Sequence, residues 1–233
     1  MEFYSMRLYK VLKSSLVLIF TLAFYVECHA EFKASPLAKA APEGVSASIR
    51  EVLATEGWQI LGDDGKTVLN VWLRKEIPGS SKPEGPKGNI LFPFLAEGEL
   101  MAAVEVVSQV GDYRDQPIAP GLYTFRYGVQ PINGDHLGAS PYRDFGCLIP
   151  AKKDQKSERL TRKNLEHDSA EAAGTSHPAI MMFLAPETDV KAGQILRDDA
   201  NDRTSVVLPI VIKSSDDKAS VMLQWIVSGR APV

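Results

Sequence analysis

One strand of this chain is fixed at both ends by turn residues, and it constrains the fold more than any other stretch. Pro120-Gly121 favours a type II turn, because proline presets a negative φ and glycine accepts the positive φ that follows. Leu122–Gln130 then places aromatic side chains at alternate positions, which is the period of a strand with one buried face. Pro131 ends the pairing because it has no N–H to donate. Arg126 lies on the other face of this strand, where we expect either solvent or an acid that pairs with it.

Similar short apolar segments, separated by turn residues, recur along the rest of the chain. Asp63–Lys66 is typical of a hairpin turn between two of them. Pro209 interrupts a later segment and predicts an edge strand or a bulge there. Further strands are predicted at Trp58–Leu61, Thr67–Arg74, Asn89–Leu95, Glu99–Gln109, Phe145–Ile149, Ala179–Leu184, Ser205–Lys213 and Ser220–Ser228.

Two segments have helical patterns, namely Val45–Glu56 and Ser157–Ala173. The regular alternation of strands and helices that a parallel sheet requires is absent. The sequence therefore predicts a mainly β protein, an antiparallel β-sandwich with a short N-terminal helix and one further helical segment. A β-barrel is the alternative, because it is built from the same succession of strands.

The first 30 residues have the pattern of a secretory signal peptide. Arg7, Lys10 and Lys13 precede an apolar stretch at Leu16–Val26, and Ala30 ends a small-residue cleavage sequence. We therefore expect cleavage after Ala30 and a secreted or periplasmic protein, with no transmembrane anchor left after cleavage.

The chain after this signal is expected to divide into a leader and one domain. Residues 31–44 are rich in Ala, Lys and Pro, which predicts a flexible leader, and residues 45–233 are few enough to share a single core. With three basic and two acidic side chains in the signal, residues 31–233 carry 23 basic and 27 acidic ones, a net charge of −4. This acidic balance argues against nucleic-acid binding. Cys147 is the one cysteine left, so an internal disulfide cannot form.

A cluster of polar residues lies between two predicted strands, where a loop presents side chains on a rigid scaffold. Asp135, His136 and Asp144 are residue types that bind transition metals or transfer protons near neutral pH. His177 is a residue that can complete such a site from another part of the chain. No His-Glu-x-x-His or His-x-His pattern accompanies them. No cofactor is therefore predicted, and a metal ion at His136 is the alternative.

A Tyr-Arg-Asp triplet occurs twice. Tyr113-Arg114-Asp115 and Tyr142-Arg143-Asp144 each lie beside a turn that flanks the central strand. An arginine fork binds carboxylate or phosphate through paired hydrogen bonds. In the other interpretation, each arginine pairs with a nearby aspartate and braces its loop. The candidate binding residues are thus Arg114, Asp135, His136, Tyr142, Arg143, Asp144 and His177.

Three other chemistries fit the sequence poorly. Cys147 and two histidines are copper-ligand types, but Leu148–Asp154 holds no His or Met after the cysteine. Asp198–Asp202 is rich in oxygen ligands, but it lacks the glycine and the closing glutamate of an EF-hand loop. For nucleophilic catalysis, the sequence contains no Gly-x-Ser-x-Gly elbow.

The central stretch resembles a group of uncharacterised secreted bacterial proteins. Their strings Pro-Gly-x-Tyr-Thr-x-Arg-Tyr-Gly-x-Gln-Pro, Gly-x-His-x-Gly and Arg-Asp-Phe are matched here at Pro120–Pro131, Gly134–Gly138 and Arg143–Phe145. The similarity extends to Gly57–Leu61, Trp72–Arg74 and Ser176–Pro178, so it covers most of the chain after the signal. The resemblance implies export from the cell and brings no activity with it.

Two functions from different classes follow. The missing catalytic pattern and the loop-borne polar cluster favour a non-catalytic binding or accessory module, whose partner is a small molecule or a component of the cell envelope. The alternative is a metal-dependent or acid–base enzyme built on Asp135, His136, Asp144 and His177. Ring nitrogens of His136 and His177 within about 4–5 Å of each other, beside a carboxylate, would favour the enzyme.

Overall fold

Strands make up most of the regular structure in residues 31–132, 140–215 and 217–229, the part of the chain that the computed structural model describes. The strands are β1 (Lys33–Leu37), β2 (Gly57–Leu61), β3 (Thr67–Leu73), β4 (Ile77–Pro78), β5 (Leu100–Val106), β6 (Val110–Gly111), β7 (Pro117–Ile118), β8 (Gly121–Val129), β9 (Asp144–Pro150), β10 (Ala179–Leu184), β11 (Ile195–Asp198), β12 (Arg203–Lys213) and β13 (Lys218–Ser228). The helices are α1 (Ala47–Val52) and α2 (Arg162–Ala173), and Asp199–Asn201 forms a 3₁₀ turn.

Most of these strands follow one path of hydrogen-bonded neighbours, in the order β1-β2-β3-β5-β8-β9-β10-β13-β12-β11. Neighbours on this path are antiparallel, and the short β4 joins β12 in parallel. The path turns at β10, which pairs with β9 through Ala179–Met182 and with β13 through Phe183–Leu184. The predicted mainly β, antiparallel class is therefore confirmed, as a curled and sandwich-like sheet.

The core lies between the two halves of the curled sheet. Phe125 of β8 stacks on Trp225 of β13 with ring centroids 4.5 Å apart, and it meets Phe183 of β10 edge to face. The aromatic face of β8 is thus buried as the alternation predicted. Gly146 makes room for this contact, because a Cβ there would lie 2.0 Å from the Phe125 ring.

Helix α1 covers one part of the outer face of the sheet. Ser46 caps it by accepting a hydrogen bond from the backbone N–H of Ile49, at 3.4 Å. Ile49 and Leu53 are buried in a small cluster that includes Trp72. The helix ends before Glu56, the predicted end of the helical segment, because Leu53 is extended and forms a bridge to Arg74.

Helix α2 covers another part of that face. It begins after Thr161, which accepts a hydrogen bond from Asn164 N–H, and it ends at Gly174, whose φ is 63°. Leu165 packs with the buried Cys147. Ser169 Oγ donates to the carbonyl of Leu148 on β9 at 2.8 Å, so α2 is bonded to the sheet as well as packed on it.

Arg126 is fully buried beside these helices, and the acid that pairs with it is Asp154. Its Nε and Nη2 donate to the two carboxylate oxygens at 2.5 and 2.8 Å, in a bidentate pair. The remaining donors reach the carbonyls of Gly98, Lys156 and Glu158. Both faces of the central strand are therefore covered.

The segment 31–44 differs from the flexible leader that we expected. Lys33–Leu37 forms β1 and pairs along all of β2, and Glu31–Val233 clusters as one compact unit. The open backbone edge of β2 supplies this pairing, and the Ala, Lys and Pro content of the segment does not reveal it.

Two other segments also differ from the prediction. Asn89–Leu95 is irregular, although Leu91 and Phe92 are buried in the core, because their N–H groups bond to a side chain and not to a strand. Ile195–Asp198, where no strand was predicted, pairs with β12 as a strand.

Pro209 lies in a gap between two neighbours of β12. On that side, β11 pairs with Arg203–Val206, and β4 pairs with Ile212–Lys213. Val207 N–H donates to Gln194 on the same side, so by the period of two the N–H that proline lacks falls in the gap. The proline therefore interrupts no pairing, although β12 lies between β13 and β11 and is not the predicted edge strand.

The predicted signal peptide, residues 1–30, lies outside the described residues and stays a prediction. Within the described ranges, the helices are too short or too polar to cross a membrane.

Candidate functional site

Side chains from separate segments of the chain line one cleft, whose volume is about 940 Å³. The cleft lies where the start of β9 and the outer face of β10 meet α2, next to the loop between β6 and β7. Its lining includes five of the predicted site residues, namely Arg114, Tyr142, Arg143, Asp144 and His177. The other lining residues are Tyr113, Gln130, Pro131, Ser140, Phe145, Lys163, Glu166, His167, Ala170, Ser176, Pro178, Ile180 and Met182.

Helix α2 forms one wall of the cleft. Lys163, His167 and Ala170 lie at positions i, i+4 and i+7, so they share one face of the helix. Leu165 and Ser169 lie on the adjacent face, which is buried against β9. The buried face fixes the helix, and the neighbouring face presents polar side chains to the cleft.

Arg143 is held in place by the end of the central strand. Its Nε and Nη2 both donate to the carbonyl of Gln130, at 2.8 and 2.5 Å. Its backbone N–H donates to Asn89. Among the described residues Nη1 has no partner, and the side chain is half-buried. The guanidinium is therefore oriented while part of its donor capacity stays available.

Arg114 is carried by a loop that is docked on β10. Asp112 braces this loop: one carboxylate oxygen accepts from Arg114 N–H and Gln116 N–H, each at 2.8 Å. The Tyr113 N–H donates to the carbonyl of Ile180 on β10, at 2.7 Å. Burial raises the pKa of Asp112, and the N–H groups that it accepts oppose that rise.

The guanidinium of Arg114 is exposed and has no partner among the described residues. The first Tyr-Arg-Asp triplet thus braces its loop through a different residue, Asp112, which lies just before it. The interpretation in which each arginine pairs with a nearby aspartate does not describe the second loop, because Arg143 binds the carbonyl of Gln130.

His177 lies in the turn that follows α2. Its backbone is fixed because its N–H donates to Thr175 Oγ1 at 3.1 Å, and Thr175 is itself bonded to Gln116 of the docked loop at 2.7 Å. The His177 side chain is exposed at the cleft. His167 is also exposed, with Nδ1 2.9 Å from Asp168.

Asp144 lines the cleft by position, but its carboxylate is committed to the core. The carboxylate is buried and accepts hydrogen bonds from Leu91 N–H at 2.7 Å, Phe92 N–H at 2.9 Å and Tyr127 Oη at 2.6 Å. Burial, and secondly the negative charge of Asp144, raise the pKa of the Tyr127 hydroxyl, so Tyr127 stays a donor. Asp144 therefore anchors the 89–95 segment and uses three of the roughly four acceptor sites of its carboxylate in doing so.

The floor of the cleft is apolar. Phe145 pairs with Gly128 across β8 and β9, and a Cβ on that glycine would lie 2.3 Å from the Phe145 ring. Ile180 and Met182 of β10 lie on the same side of the sheet as Phe145. The glycine thus lets an aromatic ring lie flat at the base of a polar opening.

Asp135 and His136 lie outside the described residues, so the distance between the His136 and His177 rings is not tested and the enzyme alternative stays a prediction. Within the described ranges, no three His, Cys, Asp or Glu side chains come together to hold a metal ion. Burial raises the pKa of Cys147 to about 12, so its thiol stays protonated at neutral pH in the absence of a metal ion.

Three polar residues of the cleft, Lys163, Glu166 and His167, were not among the predicted site residues. Their i, i+3 and i+4 spacing on a predicted helix was the signal that pointed to a shared face. No sequence pattern indicated that Phe145, Ile180 and Met182 form the apolar floor. Their alternation is the same as that of ordinary buried residues in a strand.

Comparison of the chain with protein-family models, with curated proteins and with solved structures found no match.

Proposed function

We propose that this protein is a non-catalytic binding module, exported to the periplasm or the medium, that takes up a small molecule in the cleft between α2, β9 and β10. Export follows from the signal-like first 30 residues and from the resemblance to secreted proteins. The observation that carries the binding function is convergence: Arg114, Arg143 and His177 come from three distant segments and line one opening.

Two properties of the cleft support this function. Its volume of about 940 Å³ is in the range of small-molecule sites, which combine an apolar lining with a few oriented polar groups. Its walls are also fixed before any ligand arrives, because the docked loop, the turn after α2 and Arg143 are each held by hydrogen bonds. A site that is already ordered loses less conformational entropy when it binds.

The test is whether filling the cleft abolishes binding. Ala170→Phe places a ring into the opening from the exposed face of α2, and Ala40→Phe adds the same ring at an exposed position outside the cleft. Protein purified from its native host is examined by native mass spectrometry, and any bound compound is then titrated back by calorimetry.

We expect a small molecule to accompany the unmodified protein and Ala40→Phe, and to be lost from Ala170→Phe while circular dichroism shows an intact fold. Retention of the compound by Ala170→Phe contradicts a site in the cleft. Chemical conversion of the compound during the titration contradicts a purely binding role and favours the enzyme alternative.

A further inference from the structure

The charges around the cleft are arranged for an anion. Arg114, Arg143 and Lys163 line it, and Glu166 is the acid whose carboxylate is not buried. Asp144 does not offset the basic groups at the opening, because its carboxylate lies on the core face and accepts three hydrogen bonds there. The whole chain carries a net charge of −3, so the basic side chains at the opening are opposite in sign to the net charge of the protein.

The first cation, the guanidinium of Arg143, is held in a fixed orientation. The guanidinium of Arg143 is planar, and two of its nitrogens share the carbonyl of Gln130. Nη1 lies on the remaining edge and is without a partner among the described residues. A carboxylate that binds there meets an oriented donor whose rotamer is already fixed.

A second cation is exposed at the same opening. The guanidinium of Arg114 has no partner in the described ranges, although its backbone is fixed by Asp112. No hydrogen bond of the described fold uses this guanidinium, although its positive charge lies close enough to Asp112 to oppose the rise in the pKa of that carboxyl. It can therefore turn toward an anionic ligand without releasing a structural bond.

The third component is apolar. Phe145, Ile180 and Met182 form a floor beneath the basic groups, and Gly128 keeps the ring of Phe145 flat. A free inorganic anion would leave this floor in contact with water, whereas an acid with an apolar body covers it.

We propose that the ligand of the cleft is a small organic acid, with its anionic group on Arg143 and Arg114 and its apolar body on Phe145, Ile180 and Met182. This inference rests on the proposed binding function and specifies the chemical class of its ligand.

The experiment compares acids with alcohols of the same carbon skeleton. Benzoate is paired with benzyl alcohol, 2-naphthoate with 2-naphthylmethanol and decanoate with decanol, each titrated into the protein of residues 31–233 and followed by calorimetry. We expect at least one acid to bind about tenfold or more tightly than its alcohol, because a charge-assisted hydrogen bond contributes at least that factor.

Single-residue variants show which side chains bind the acid. Arg114→Gln removes one charge without touching a structural bond, and we expect it to weaken the acid about three- to tenfold with an unchanged melting temperature. Arg143→Lys keeps the charge but loses the planar fork, and it weakens the acid as well. Lys191→Gln removes a charge from an exposed loop residue outside the cleft and leaves the affinity as it was.

The outcomes separate the two proposals. If acids and alcohols bind equally and Ala170→Phe abolishes both, the binding function stands and the organic-acid class is overturned. The same class is overturned if the compound that accompanies the native protein is uncharged. If no acid or alcohol binds and no compound accompanies the protein, both the class and the binding function fail.

Discussion

Arg126 and Arg143 lie on the neighbouring strands β8 and β9 or at their ends, yet the protein uses them in opposite ways. Arg126 is fully buried and donates hydrogen bonds to a carboxylate and to three backbone carbonyls. Arg143 is half-buried and gives two of its nitrogens to one carbonyl. An arginine with every nitrogen occupied holds the fold, while one with an unused edge at a cleft is available to a ligand.

Two nearby aspartates also have structural roles, although metal binding or proton transfer was predicted for one of them, Asp144. Asp154 neutralises Arg126 in the interior, and Asp144 accepts from backbone N–H groups and a tyrosine. Both carboxylates are structural, so they serve the fold, while the exposed basic groups lie at the opening of the cleft. The experiments below separate the structural region from the binding region.

The largest effect is expected when the interior pair loses its acid. Asp154→Asn removes the negative charge and leaves the Arg126 guanidinium buried without a counter-charge, which costs about 3–5 kcal/mol of the free energy of unfolding. Urea denaturation followed by circular dichroism measures it.

A double variant is the control for that pair. Arg126→Met combined with Asp154→Leu removes both charges, and we expect it to recover part of the loss, because no unpaired charge remains buried while the carbonyls of Gly98, Lys156 and Glu158 lose their donor. A loss below about 1 kcal/mol in Asp154→Asn alone would show that the pair is not the main constraint in this region.

The second effect tests whether Asp144 belongs to the fold or to the ligand site. Asp144→Asn replaces one acceptor oxygen by a donor and leaves a buried N–H or hydroxyl unsatisfied, which costs about 1–3 kcal/mol of the free energy of unfolding. Tyr127→Phe removes only the hydroxyl and is expected to cost less. An Asp144→Asn variant of normal stability that no longer binds ligand would move this residue into the site.

The third effect concerns a contact within the sheet that also shapes the cleft. Gly128→Ala places a Cβ against the Phe145 ring, which must shift, and overpacking of this kind costs about 1–3 kcal/mol. Because Phe145 is half-buried and can move toward the opening, we expect the lower end of this range and a narrower cleft.

The matched control for this glycine is Gly85→Ala, because a Cβ at Gly85 meets nothing within 4 Å. Its free energy of unfolding is expected to change by less than about 0.5 kcal/mol. Adding Phe145→Leu to Gly128→Ala restores stability if the ring contact is the cause. Failure of this rescue would place the strain elsewhere.

The smallest effect is expected for an ion pair at the surface, in contrast to the buried pair of Arg126 and Asp154. Glu171 of α2 lies 2.8 Å from Lys152 and 3.0 Å from Lys153, and their hydrogen bonds and charges lower its pKa. A carboxyl whose pKa is lower in the folded state stabilises the protein above the unfolded value of 4.5, and this contribution is lost as the pH falls through the folded pKa.

We therefore expect the melting temperature of Glu171→Gln to fall less steeply than that of the unmodified protein below about pH 4.5. Scanning calorimetry at several pH values measures the two slopes. Glu187→Gln, which changes another exposed acid away from these lysines, is the control. Parallel slopes for Glu171→Gln and the unmodified protein would show that this exposed pair contributes nothing.

The sequence predicted the features that depend on neighbouring residues. The alternation in Leu122–Gln130 predicted the strand seen at Gly121–Val129, and Asp63–Lys66 predicted the first hairpin. The helical pattern of Val45–Glu56 predicted α1, which Ser46 caps through the N–H of Ile49. In each case, the interaction that fixes the conformation lies within a few residues in the sequence.

Features that depend on contacts between residues far apart in the sequence could not be predicted from it. Lys33–Leu37 has little strand propensity, and it forms a strand because β2 leaves an edge for it. Asp154 has no mark in the sequence that connects it with Arg126, 28 residues away. Asp144 looked like a metal ligand or an acid–base group because its residue type has that chemistry, whereas its backbone partners at Leu91 and Phe92 are more than 50 residues distant.

The candidate site was predicted in part for a similar reason. The repeated Tyr-Arg-Asp triplet pointed to Arg114 and Arg143, and both line the cleft. It did not indicate that Gln130 would hold one of them and Asp112 the loop of the other. A repeat in the sequence marks comparable residues, and their hydrogen-bond partners depend on the fold.

The gap at Pro209 has a consequence for how this protein behaves at high concentration. An open strand edge recruits strands from other molecules, because its N–H and carbonyl groups are unpaired. Here β11 and β4 cover β12 on either side of the gap, and the proline removes the N–H that a visiting strand would need between them. At the far end of the sheet, β1 is five residues long and contains Pro36. The two end strands of the path, β1 and β11, are thus only five and four residues long, and prolines lie in β1 and at the gap beside β11, which protects a β-rich chain against strand exchange and fibril growth.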